Sequence, residues 1–197
     1  MQLRSEETRD RILSTSYQLF LQQGYDTTGV AQICEEAQVS KGAFYHHFPS
    51  KHDVFLTLLE NWLSELDKRF EQNKQETTNV PDRLMSMTSA LSTIFSEADQ
   101  IPMFLEFWMQ SMRDPIVAQK TIAPYYRYIQ YLKAILEKGI EEGSIRSESN
   151  PKLSSRLIVA FAIGMILQCM IEPHGENWQQ MSQYGLETIL SGLQKEK

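Results

Sequence analysis

Apolar residues recur every three or four positions along nearly the whole chain, and no stretch alternates apolar with polar residues over the length of a strand. That is the periodicity an α-helix buries along one stripe, so the chain is confined to an all-α fold. β-branched residues never cluster between turn signals, and no strand competes. Ser5, followed by Glu6 and Glu7, reads as the cap of a first helix. Ile12, Leu13, Ser16, Tyr17 and Phe20 form its inner face, and Gly24 stops it. A second helix is expected over about residues 28–37, and a third from Ser40 to near Phe48, before Pro49. Ser50 with Asp53 makes a capping box that opens a long fourth helix through Phe55, Leu58, Leu59, Trp62, Leu66 and Phe70.

The polar stretch from Asn73 to Pro81 marks a boundary between elements. Helices are expected beyond it at about 82–97 and 102–113. Asp114 and Pro115 then introduce a segment reaching Glu142, which Pro124 should bend or break. Gly143 ends that segment, and Asn150 with Pro151 starts the next helix. Inside it, Leu157 to Ile171 is a run of 15 residues in which only Gln168 is polar. A membrane span needs about 20 apolar residues, so burial in protein is the expectation and no membrane is implied. One side can face the chain's own core; the other needs a second surface, which a partner subunit supplies. The candidate dimer residues are Phe161, Gly164, Met165, Gln168, Trp178, Met181, Gly185 and Ile189. Gly164, Gly185 and Gly192 would let helices approach closely.

Residues 24–52 read GYDTTGVAQICEEAQVSKGAFYHHFPSKH. Two short helices joined by a tight turn and held by a helix ahead of them are the plan of a helix-turn-helix, whose second helix enters the DNA major groove. Val30, Ile33, Cys34, Ala37, Val39, Phe44 and Phe48 suffice to pack the pair. Ser40, Lys41, Gly42, Ala43, Tyr45, His46 and His47 are left facing outward. Thr27 and Thr28 stand near the start of the second helix, where hydroxyls and amides meet phosphate. Lys41 is long enough for a guanine edge or a phosphate, Gly42 allows close approach, and Ala43 suits a thymine methyl. Tyr45, His46 and Lys51 are candidate backbone clamps.

This segment resembles the TetR family of bacterial transcriptional regulators. The likeness rests on GY followed by TTGV, then I with EEA, then VSKGAFYHHFPSK, and covers about the first 55 residues. It implies a homodimer, a palindromic double-stranded DNA operator and a small-molecule effector that releases the DNA. One departure is Gln38, where the family usually has Gly; a left-handed backbone there costs about 1 kcal/mol, and its side chain becomes a further candidate DNA contact. The expected architecture is all-α. Residues 1–52 form a three-helix helix-turn-helix domain, joined by a long helix to a helical effector-binding and dimerisation domain over residues 53–197.

In that second domain Phe104, Trp108 and Met112 recur at helical spacing beside Phe107, and Tyr125 and Tyr128 follow on the next helix. With Trp62 they are the candidate lining for a small hydrophobic or aromatic effector, since Met repacks and Tyr supplies a hydrogen bond. The same stripe also fits plain core packing. Glu106, Gln110 and Arg113, at i, i+4 and i+7, read as the solvated polar face of their helix; a counter-ion role for Glu106 toward a cationic ligand is the alternative.

The function expected is a ligand-responsive regulator, a repressor before an activator. The alternative is a DNA-binding regulator governed by a protein partner, without an effector. No nucleophile is paired with a base and no phosphate loop or zinc motif occurs, so neither an enzyme, a cofactor nor a metal is expected. His46 and His47 are adjacent on a helix and point about 100° apart, a poor chelate. Two cysteines, Cys34 and Cys169, give no disulfide framework; Cys34 reads as packing, with a redox sensor as the alternative. That cysteine usage suggests a reduced, cytoplasmic setting, and a charged start without an apolar stretch is unlike an ordinary secretory signal. The net charge of −6 sits awkwardly with DNA until it is mapped. No acid lies between Glu36 and Asp53, whereas Lys41, Lys51 and three histidines do.

Overall fold

A computed structural model describes residues 2–72, 79–88, 101–172, 174–175 and 177–194. Among the described residues there are nine helices and no strand. They are α1 (Gln2–Gln23), α2 (Val30–Glu36), α3 (Lys41–His47), α4 (Lys51–Gln72), α5 (Val80–Ser86), α6 (Ile101–Ser111), α7 (Pro115–Glu141), α8 (Pro151–Ile171) and α9 (Trp178–Ser191). They divide into two compact units, one of Met1–Glu65 with Pro102–Lys120, the other of Leu66–Ile101 with Thr121–Lys197.

The first unit is built around Ile12, Leu13, Leu19 and Phe20 of α1, Ile33 and Cys34 of α2, Phe44 of α3, and Val54, Phe55 and Leu59 of α4. Met103, Phe107 and Val117 complete that core from α6 and the start of α7. Ser40 caps α3 by accepting from the Ala43 amide at 3.1 Å. Ser50 accepts from the Asp53 amide at 3.2 Å and donates to the Asp53 carboxylate at 2.6 Å, reinforcing the start of α4. Gly24 stops α1 with a φ of +87°. α1 starts earlier than its expected cap: Ser5 lies inside a helix that begins at Gln2, because Gln2, Leu3 and Arg4 contain no glycine or proline to interrupt it.

The second unit packs Val80 and Leu84 of α5 with Leu132, Ile135 and Leu136 of α7, Ile145 after it, Ile158 of α8, and Leu186 and Leu190 of α9. Asn79 caps α5 and Asn150 caps α8, each through its side-chain oxygen. Gly143 ends α7's turn with a φ of +80°. Pro124 does not break α7, which runs unbroken for 27 residues. Proline removes one hydrogen bond, and buried positions 117, 121, 129, 132 and 136 keep one helical phase on both sides of it. The expected boundary at 73–78, and the expected helix beyond residue 88, lie outside the described residues.

Candidate nucleic-acid interface

α3 is oriented by its aromatic residues. Phe44 is fully buried, with its ring 5.3 Å from that of Tyr45 and 6.2 Å from that of Phe48. That anchoring turns Lys41, Gly42, Tyr45 and His46 to the exposed side, with Ala43 and His47 half-buried at its margins. A Cβ on Gly42 would meet only the Ser40 hydroxyl, at 3.8 Å, so no packing inside the chain requires glycine here. Burial, then His46 and Arg9, hold the His47 imidazole below its ordinary pKa. Arg9 of α1 lies 5.3 Å from the centre of the Phe48 ring. Sequence spacing did not single out Arg9; its one signal was being one of few basic residues in this part of the chain.

The turn before α3 carries a further feature of the sequence. Gln38 has a φ of +54°, the left-handed region in which a Cβ is penalised. Gln38→Gly is therefore expected to stabilise the protein by about 1 kcal/mol. Chemical denaturation checks this; an unchanged or lowered midpoint would contradict it.

Thr27, Thr28 and Lys51 are engaged within the fold. Thr27 donates its hydroxyl to the Gln23 carbonyl. Thr28 is only 1% exposed; its hydroxyl donates to the Gly24 carbonyl at 2.8 Å, and its amide to the Tyr25 carbonyl at 3.3 Å. The hydroxyl and amide foreseen for a phosphate are thus used to brace the turn into α2. Lys51 Nζ donates to the carbonyls of Tyr25 and Thr28 at 2.6 and 2.8 Å, and sits 4.1 Å from the Tyr25 ring centre. Burial pushes its pKa down, against the pull of Asp26 and Glu106. Cys34 is buried, and burial raises its thiol pKa despite Lys41, as suits a packing residue.

The expected effector residues are distributed between the two units. In the first, Phe107 is buried with its ring 5.1 Å from Phe55 and 5.9 Å from Trp62, Trp108 is half-buried, and Met112 is 79% exposed. In the second, Tyr125 is half-buried against Tyr126, while the Tyr128 hydroxyl donates to Asp67. Burial and then Asp67 raise the Tyr128 pKa, and Arg127 pairs with the same carboxylate at 2.5 Å. The side chain of Phe104 lies outside the described residues.

Of the expected polar stripe, Glu106 and Gln110 turn to the fold, while Arg113, just past the end of α6, is exposed as expected. Glu106 accepts from the Tyr25 amide at 3.3 Å and from Gln110 Nε2 at 3.2 Å. Gln110 is only 5% exposed and also reaches Asp26 at 3.4 Å, while Arg113 pairs with Asp26 at 3.0 Å. The stripe meets the turn after α1, whose amide and carboxylate need partners.

α8 is longer than its apolar run, at 21 residues, and by length and composition alone could cross a membrane. Met165 and Trp178, expected at a dimer face, are buried within the chain. Gln168 and Met181 are exposed, and Phe161, Gly164, Gly185 and Ile189 are intermediate. Leu153, Leu157, Ile171 and Tyr184 are large exposed apolar residues on the same two helices. A Cβ on Gly185 would lie 2.3 Å from the Phe161 ring, so glycine there permits the close approach of α8 and α9. Gly164 faces open space in the single chain. Among the described residues no group of three or more His, Cys, Asp or Glu could hold a metal ion.

Residues 12–58 match the model of bacterial regulatory proteins of the tetR family. Residues 81–192 match that of the BetI-type transcriptional repressor C-terminal region. The HTH-type transcriptional repressor DhaR of Mycobacterium sp. (strain GP1) is 25% identical over 184 residues, 92% of either chain. A transcriptional regulator from Saccharomonospora viridis, solved in complex with choline, has a TM-score of 0.82 at 21% identity, covering 97% of this chain and 100% of that one. FadR from Bacillus subtilis, solved in complex with stearoyl-CoA, has a TM-score of 0.77 at 21% identity, covering 92% of this chain and 97% of that one.

Proposed function

This chain belongs to the TetR family of transcriptional regulators, and we propose that it is a cytoplasmic, non-enzymatic repressor that binds a palindromic operator as a homodimer and is released by a small hydrophobic or aromatic effector. The observation that carries the DNA half is α3, docked by buried Phe44 and presenting Lys41, Gly42, Tyr45 and His46 on an exposed, acid-free face. Lys41, Gly42, Ala43 and Gln38 read bases; Ser40, Tyr45, His46, His47 and Thr27 position the backbone, with Arg9 added beside them. Lys51 and Thr28 act from behind, by holding the turn into α2.

The division of labour is residues 1–52 for DNA and 53–197 for effector and dimerisation. The dimer reading rests on the exposed leucines and open Gly164 of α8, with α9 alongside. An apolar helix left half uncovered is satisfied by its copy in a second subunit, without a bilayer. The effector reading draws support from the ligands of the two similar structures, choline and stearoyl-CoA, and from the half-buried aromatic residues Tyr125 and Tyr128 of the second unit.

Thermal shift across acyl, aromatic and quaternary-ammonium compounds tests the effector. A compound present at 100 times its Kd stabilises by about 2.7 kcal/mol, and the same compound is expected to abolish a gel shift on the chain's own upstream DNA. A DNA-binding protein that no compound stabilises or releases would remove the effector from the account.

A further inference from the structure

The turn joining α1 to α2 is gripped from two directions. From α4, Lys51 holds the carbonyls of Tyr25 and Thr28. From α6, Glu106 holds the Tyr25 amide and Gln110 reaches the Asp26 carboxylate. The Tyr25 ring is fixed as well, 4.6 Å from Phe55 and 5.3 Å from Phe20. Where this turn stands decides where α2 begins, and α3 is docked on α2 and α1 through Ile33, Cys34, Phe44 and Phe48.

We propose that Glu106 and Gln110 are positioning residues for operator binding: through the backbone of Tyr25 and the carboxylate of Asp26 they tie the place of α2 and α3 to the place of α6. The inference rests on the DNA-binding role above and names the residues that regulate it. α6 lies some 50 residues beyond the helix-turn-helix in sequence, so a compound or contact that displaces α6 is felt at the recognition helix without touching it. The chemistry suits a position sensor. A carboxylate accepting a backbone N–H makes a short-range, directional, charge-assisted bond. Gln110 is buried, so its amide loses Asp26 and Glu106 without a solvent replacement when α6 moves. The hydrophobic cluster that joins α1, α2, α3 and α4 with Met103 and Phe107 of α6 holds these helices together, and the clasp adds to that packing the directional contacts that set where the turn stands. Two recognition helices must meet half-sites about one helical turn, 34 Å, apart, and small errors in each subunit are doubled by symmetry.

The test compares the wild-type chain with Glu106→Ala, Glu106→Gln and Lys133→Ala, by operator affinity, amide hydrogen exchange over residues 25–34 in the free protein, and melting temperature. Glu106→Ala is expected to weaken operator binding roughly 5- to 150-fold, and to speed exchange at Tyr25. Glu106→Gln keeps an acceptor oxygen and is expected to recover most of the affinity. Lys133→Ala removes only a surface ion pair with Glu137, away from the clasp, and is expected to change affinity little. Unchanged affinity and unchanged exchange in Glu106→Ala would overturn the proposal. So would a Glu106→Gln variant as weak as Glu106→Ala with melting falling in step, which marks a merely structural residue. A wild type that binds no operator would sink the functional reading instead, and exchange at Tyr25 would still judge the clasp.

Discussion

Leu157→Asp is expected to yield a folded monomer that binds operator DNA about a thousandfold or more weakly than the wild type. Leu157 is 55% exposed in the single chain, so aspartate there costs the monomer little. In a dimer that buries α8 against its copy, the same change places two carboxylates in an apolar contact, each several kcal/mol from solvation. Monomers cannot engage two half-sites at once, and the affinity falls toward non-specific binding, which is typically 10³ to 10⁷ weaker than specific binding. Sedimentation velocity and fluorescence anisotropy measure the two effects on the same sample. A Leu157→Asp protein that remains dimeric would remove α8 from the interface.

Lys41→Ala comes next in size. A side chain reaching a base edge contributes about 1–3 kcal/mol per half-site. Two half-sites make that about 2–6 kcal/mol, or from about 30-fold to about four orders of magnitude in Kd. Lys41 is exposed at the first turn of α3, so the melting temperature should stay near that of the wild type. Salt dependence separates its two possible partners. A guanine contact leaves the slope of log Kobs against log salt unchanged, while a phosphate contact lowers its magnitude by about 0.9 for each one lost. Wild-type affinity in Lys41→Ala would mean that α3 does not read the groove through this residue.

The recognition segment was legible because its signals are local. Ser40 at the start of α3 and Phe44 and Phe48 at helical spacing each depend on a few neighbouring residues, whereas the left-handed backbone at Gln38 was implied only by the family resemblance, which places Gly there. The close approach at Gly185 was legible for the same reason, as a glycine on an apolar helix face, although its partner Phe161 was not. What failed were features decided by distant partners. Glu106 and Gln110 have the same spacing whether they face water or a turn 80 residues away in sequence, and periodicity alone cannot distinguish the two. Lys51 has the composition of a phosphate clamp, yet it meets two carbonyls that only the folded turn brings near it. Met112 shared a stripe with Trp108 and proved exposed, because α6 ends at Ser111 and the stripe ends with it. Pro124 carries a local penalty of about 3 kcal/mol, yet the packed residues on either side of it in α7 govern whether the helix continues.

The acidic total also resolves into parts. Residues 1–52 carry five basic and six acidic residues, and the remainder carries most of the excess negative charge. With five basic residues in this segment of each chain, the proposed operator binding is expected to depend on joining two subunits more than on charge.

The central claim is most directly tested by footprinting the DNA upstream of the chain's own coding sequence, with the protein-to-duplex ratio measured on the same fragment. The account predicts protection of an inverted repeat with half-sites one helical turn apart or a multiple of it, at two chains per site or a whole multiple, lost in Leu157→Asp. Protection of a site without two-fold symmetry, one chain per site, or no protection even at low salt would contradict it.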